Sequence, residues 1–141
     1  MKVIWIVDHS VDAAASLRQT LFEKLETHQS SAIKGYLTAS IYLDVIFSDG
    51  GPSEKPGEGL GCPGLIAIDT KYSDGKGVDL ITRIRSHESM KDVKMVVHTY
   101  KGSSAEVAEC VRAGADAVFR RPNAKAFAPE IVDYIMKNCP G

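Results

Sequence analysis

Three short apolar runs, each halted by polar side chains, constrain this chain more than any other feature. They are Val3 to Val7 before Asp8, Leu65 to Ile68 before Asp69, and Met95 to Val97 before His98 and Thr99. Each is too short for a helix and is bounded by polar or turn residues, which is how strands of a parallel sheet read when both faces are covered. A shorter run, Ala117 to Phe119, leads into Arg121-Pro122.

Helical patterns separate these runs. Ser10 can cap a helix whose apolar stripe is Ala14, Leu17, Leu21 and Leu25. A second helix is predicted from about Val78 to Arg85, with Ile81 and Ile84 inward. Ser103-Ser104-Ala105-Glu106 has the form of a capping box, opening a helix expected to bury Val107, Cys110 and Val111. Pro129 suits the first turn of a last helix, where Phe127, Ile131, Tyr134 and Ile135 recur at helical spacing. Ala32 to Leu37 is expected as a strand and Ser40 to Phe47 as a short helix. Strands alternating with helices imply right-handed βαβ units, hence an α/β, doubly wound sheet of about five parallel strands with helices on both faces.

In such sheets ligands sit outside the carboxyl ends of the strands, at the point where strand order reverses. The chain therefore delivers two carboxylates (Asp8, Asp69), a hydroxyl (Thr99) and a cation (Arg121) to one rim. The remaining sequence narrows the alternatives. Its 141 residues suit a single domain spanning 1–141, interrupted by the Gly- and Pro-rich stretch from Asp49 to Gly64, expected as a long mobile surface loop. A net charge of −1, with Lys and Arg dispersed, gives no basic patch for direct nucleic-acid binding. No apolar run approaches the roughly 18 residues of a membrane span. The N-terminus runs from Lys2 straight into a strand, without a signal-peptide profile. The three cysteines are widely spaced and form no CxxC pair, and a reducing, cytoplasmic setting is expected. Gly59, Gly61 and Gly64 spell GxGxxG but precede a strand instead of leading from one into a helix, so the dinucleotide reading fails. No catalytic triad, P-loop or zinc spacing is present, and the chain is not expected to be an enzyme.

With these residues in place the chain resembles the response-regulator receiver domain, the phospho-aspartate module of two-component signalling, from Lys2 to Lys137. Asp69 in LIAID falls where that family has its phosphoacceptor, and Gly77 matches the glycine that opens the helix after it. Thr99 matches the hydroxyl that binds the phosphoryl group. AGADAVFRRP, Ala113 to Pro122, resembles the family's run into a Lys-Pro pair. The resemblance implies a flavodoxin-like, CheY-like strand order 2-1-3-4-5. It implies phosphate accepted on Asp69 from a histidine kinase or phosphotransfer protein, and signalling through the helical surface to an output domain or partner protein. It also implies Mg²⁺ near Asp8 and Asp69, because a hard cation with oxygen ligands can hold carboxylates and phosphate together. The chemistry is aspartyl-phosphate formation, with a hydroxyl and a cation on the phosphoryl oxygens.

The sequence departs from that pattern in several places. His9 replaces the usual second acid, and imidazole is a poor ligand for so hard an ion, so Mg²⁺ binding is expected to be weak. Arg121 replaces a lysine, keeping charge but not shape. Tyr100 stands where a small residue normally leaves the site open, and Val118 where an aromatic switch residue is expected. Lys71 could bring an ammonium near the metal position. Taken singly, Asp8 could cap the following helix, Thr99 could be an ordinary strand-end hydroxyl, Cys110 suits the core, and His9 and His98 suit polar residues near a rim better than a metal pair. Two functions stay open: a phosphorylation switch, and a phosphorylation-independent pseudo-receiver that binds partners. A small α/β enzyme or cofactor carrier of the same layered shape is a distant third. The retained Asp69, Thr99 and cation favour the switch.

Overall fold

Parallel pairing of the apolar runs organises the molecule. The computed structural model describes residues 2–8, 10–24, 28–34, 64–70, 77–87, 90–100, 103–123 and 125–138. In chain order the elements are β1 (Lys2–Asp8), α1 (Val11–Lys24), β2 (His28–Lys34), β3 (Leu65–Ile68), α2 (Gly77–Ser86), β4 (Lys94–Thr99), α3 (Ser104–Ala113), β5 (Ala117–Arg120) and α4 (Glu130–Asn138). The sheet runs β2-β1-β3-β4-β5 with every pairing parallel, so the order reverses between β1 and β3.

Alternation along each strand divides the core in two. Trp5, Val7, Ile66, Ile68, Met95 and Val97 pack with Leu80, Ile81 and Ile84 of α2 and Cys110 of α3. Ile4, Ile6, Leu65, Ala67 and Val96 pack with Ala14, Leu17 and Leu21 of α1 and Ile131, Val132 and Ile135 of α4. Helices therefore cover both faces, and the middles of the central strands are apolar because neither side meets water.

The helix ends follow local chemistry. The Ser10 hydroxyl accepts from the Ala13 N–H at 3.2 Å, and the Ser103 hydroxyl from the Glu106 N–H at 3.1 Å. Gly114 ends α3 at φ 127°, a region that disfavours side chains, and its N–H returns to Val111.

Three expectations need correction. β2 begins at His28, four residues before the expected Ala32, because His28–Lys34 pair in register with Lys2–Asp8, and residues 35–37 of the expected strand lie outside the described residues; backbone pairing, not apolar content, sets an edge strand. Val111 is exposed and Val107 only half-buried, so α3 buries Cys110 alone against the sheet. Phe127 precedes α4 instead of lying on it, though it still packs on the α1/α4 core. Leu25, the Ser40 to Phe47 helix and, apart from Gly64, the loop beginning at Asp49 lie outside the described residues.

Candidate functional site

Register assembles the site. Val7 pairs with Ile68, and Ile68 with Val97, so the next residues, Asp8, Asp69 and His98, continue one row across three strands. By alternation they lie on the side of Ile6, Ala67 and Val96, the α1/α4 side. The row is held by backbone bonds that carry the ladder to the rim: the Asp69 N–H donates to Val7 and the Arg121 N–H to Thr99. Of the Arg120-Arg121 pair, Arg120 points outward and Arg121 is 5% exposed.

Asp8 and Asp69 are both fully buried. Ionised carboxylates are very costly to bury without a counter-charge, and Arg121 supplies one. Its Nη1 lies 3.1 Å from Asp8 Oδ2 and 3.4 Å from Asp69 Oδ2, and it donates to Asp8 Oδ1 at 3.2 Å. Its Nε donates to the Ala126 carbonyl at 2.7 Å, which fixes the guanidinium against the β5–α4 connection. The Ser10 N–H donates to Asp8 Oδ1 at 2.8 Å, and the Thr70 N–H to Asp69 Oδ1 at 2.7 Å. Asp8 therefore shapes the start of α1 as well as the rim. Burial, and next the neighbouring Asp69 charge, lift Asp8 to about 6, while Arg121 and the Ser10 N–H act the other way.

Thr99 is buried but aligned with Val97, toward the other face, where its hydroxyl meets that of Thr70 at 3.3 Å. It adjoins Asp69 through Thr70 instead of joining the charged row. Gly77 packs so closely that a Cβ there would overlap the Thr70 carbonyl, which ties the start of α2 to the site. Tyr100 is half-buried, Pro122 exposed, and Val118 half-buried against the α2/α3 core. His9 and Lys71 lie outside the described residues.

His98 is the residue sequence reasoning placed too loosely. It is fully buried, and its Nε2 stands 3.4 Å from Asp8 Oδ2, so it is part of the charged cluster and not only a polar group near the rim. The signal was available in the alternation: Val96 and His98 share a face, as do Ile6 and Asp8, and Ala67 and Asp69.

The donor set fits a divalent cation poorly. Such ions need several oxygen ligands, and here Arg121 Nη1 sits against Oδ2 of both acids, while backbone N–H groups hold both Oδ1 atoms. Among the described residues no group of three or more His, Cys, Asp or Glu side chains is arranged to hold a metal.

No family model matches the sequence, and no curated protein matches it. Solved structures do. The Mn²⁺-bound form of response regulator Rcp1 is 19% identical, with a TM-score of 0.70 over 100% of this chain and 97% of that one. The signal receiver domain of a DNA-binding response regulator from Colwellia psychrerythraea 34H is 16% identical, with a TM-score of 0.70 over 97% and 96%. A two-component response regulator from Clostridium difficile is 21% identical, with a TM-score of 0.68 over 97% and 93%. The chain has the receiver fold. In this receiver fold the charged row stands at the carboxyl ends of β1, β3 and β4, beside the reversal of strand order. No helix among the described residues is long and apolar enough to cross a membrane.

Proposed function

We propose that this domain, spanning residues 1–141, is a signalling receiver that accepts a phosphoryl group on Asp69. The observation that carries the reading is the burial of Asp8, Asp69, Thr99 and Arg121 together at the carboxyl ends of four strands. An Asp69 carboxylate oxygen attacks phosphorus, the bond from phosphorus to the donor breaks, and its electron pair leaves with the donor. Arg121 and the Thr99 hydroxyl then hold the phosphoryl oxygens. Taking that role requires Arg121 to leave Asp8 and Thr99 to leave Thr70, which makes the rim a two-position element able to bias the helical surface. The donor is a histidine kinase or phosphotransfer protein in the cytoplasm, and the recipient is an output domain or partner protein; the domain is a switch and not an enzyme acting on other substrates. Mg²⁺ is assigned only weak binding at Asp8 and Asp69, and no step depends on it.

The test is intact mass after incubation with acetyl phosphate. One phosphoryl mass is expected, absent in Asp69→Asn and removed by hydroxylamine. Tyr100→Ala should speed the gain if that ring screens the acid. The engagement of both acids by Arg121 favours a second reading, a pseudo-receiver that binds partners without phosphate. No added mass under any condition, together with partner binding indifferent to Asp69→Asn, would establish that reading and remove the first.

A further inference from the structure

A receiver fold whose two acids are already bridged by a guanidinium has its positive charge built in. We propose that Arg121 is the resident cation of this rim, occupying the gap between Asp8 and Asp69 and excluding divalent ions from it. The inference deepens the phosphoacceptor reading and rests on it for the identity of the site.

Three observations carry it. Nη1 is within 3.4 Å of Oδ2 on both acids, so a single nitrogen lies where an ion shared by the two would have to lie. The guanidinium cannot drift away readily, because Nε is tied to the Ala126 carbonyl at 2.7 Å and the side chain is buried. His98 Nε2 also stands 3.4 Å from Asp8 Oδ2, and imidazole contributes nothing a hard cation prefers. An arginine suits this position between the two acids because its planar fork matches carboxylate geometry. A lysine ammonium, by contrast, is a flexible point charge that can share the rim.

The experiment measures Mn²⁺ binding by the loss of the free-ion paramagnetic signal, with no phosphodonor present. The parent should bind in the millimolar range or weaker, by order of magnitude. Arg121→Ala should bind at least about tenfold tighter even with His9 unchanged, and adding Asp8→Asn should abolish the gain. Arg121→Lys keeps the charge and so keeps the domain folded if alanine does not; it should show a smaller gain, and Mn²⁺ should raise its melting temperature but not the parent's. Tight binding by the parent overturns the proposal, and so does equally weak binding in parent, alanine and lysine chains. A gain confined to His9→Asp would assign the weakness to that position instead. Labelling of Asp69 is read separately by mass, so either proposal can fail while the other stands.

Discussion

Arg85 and Arg121 each close one end of the same sheet, and they do so with opposite kinds of partner. Arg85, beside the amino ends of β4 and β5, donates to the carbonyls of Met90, Lys91, Val93 and Gly114 and meets one half-exposed carboxylate, that of Asp116. Asp116 in turn accepts from the Met95 N–H at 2.8 Å, so this corner knits loops to strand starts. Arg121, at the carboxyl ends, faces two fully buried acids and a buried imidazole. Carbonyls are fixed dipoles that neither titrate nor react, and a guanidinium among them acts as a fastener. Carboxylates can be protonated, bind ions or be phosphorylated, so a guanidinium among them can be released. The same side chain is structural at one end of the sheet and a candidate switch at the other because of what it faces.

The sharpest way to break that comparison is to remove each guanidinium and vary pH. Arg121→Met strips the counter-charge from two buried acids and should cost about 3–5 kcal/mol in urea unfolding near neutral pH. The loss should shrink near pH 5, where Asp8 can take a proton. A loss equal at both pH values would mean that Arg121 is only a fastener. Arg85→Met leaves several carbonyls without their donor and should cost about 2–4 kcal/mol, unchanged between the same two conditions.

Asp8→Asn sharpens the contrast from the other side. Burial raises Asp8 to about 6 in the folded chain. A raised carboxyl favours folding while protonated, so that contribution is complete below the ordinary aspartate range and is lost as pH rises through about 6. Urea titrations of the parent should therefore lose stability across that window. Asp8→Asn should hold level through it and end about 1–3 kcal/mol ahead of the parent near neutrality. A parent curve that is flat there would remove the basis for a raised Asp8 at the rim. The smallest effect is expected at Val111, 54% exposed on α3: Val111→Ser should change stability by less than about 0.5 kcal/mol.

The central strands were legible because strands covered on both faces must be apolar, and IWIV, LIAI and MVV have few other uses. The rim was legible because each run ends in a residue that cannot continue it. β2 was not, since among the described residues HQSSAIK pairs with β1 alone, and a polar sequence can satisfy that. His98 was read only as a polar residue near the rim; its strand parity also puts it beside Asp8. The bridging of both acids by Arg121 lay beyond sequence reasoning, because it depends on where Ala126 holds the guanidinium and not on spacing. Val111 misled because its residue type suits the apolar stripe, while α3 turns only Cys110 fully inward.

The division of the core into two faces has an optical consequence. The chain's single tryptophan, Trp5, is fully buried among α2 and α3 side chains, whereas the acids and Arg121 belong to the α1/α4 side. Indole emission is therefore blind to direct contact with anything arriving at Asp69. A spectral response to a phosphodonor would have to pass through the thickness of the sheet, so unlabelled fluorescence gauges how firmly one face of this molecule is tied to the other.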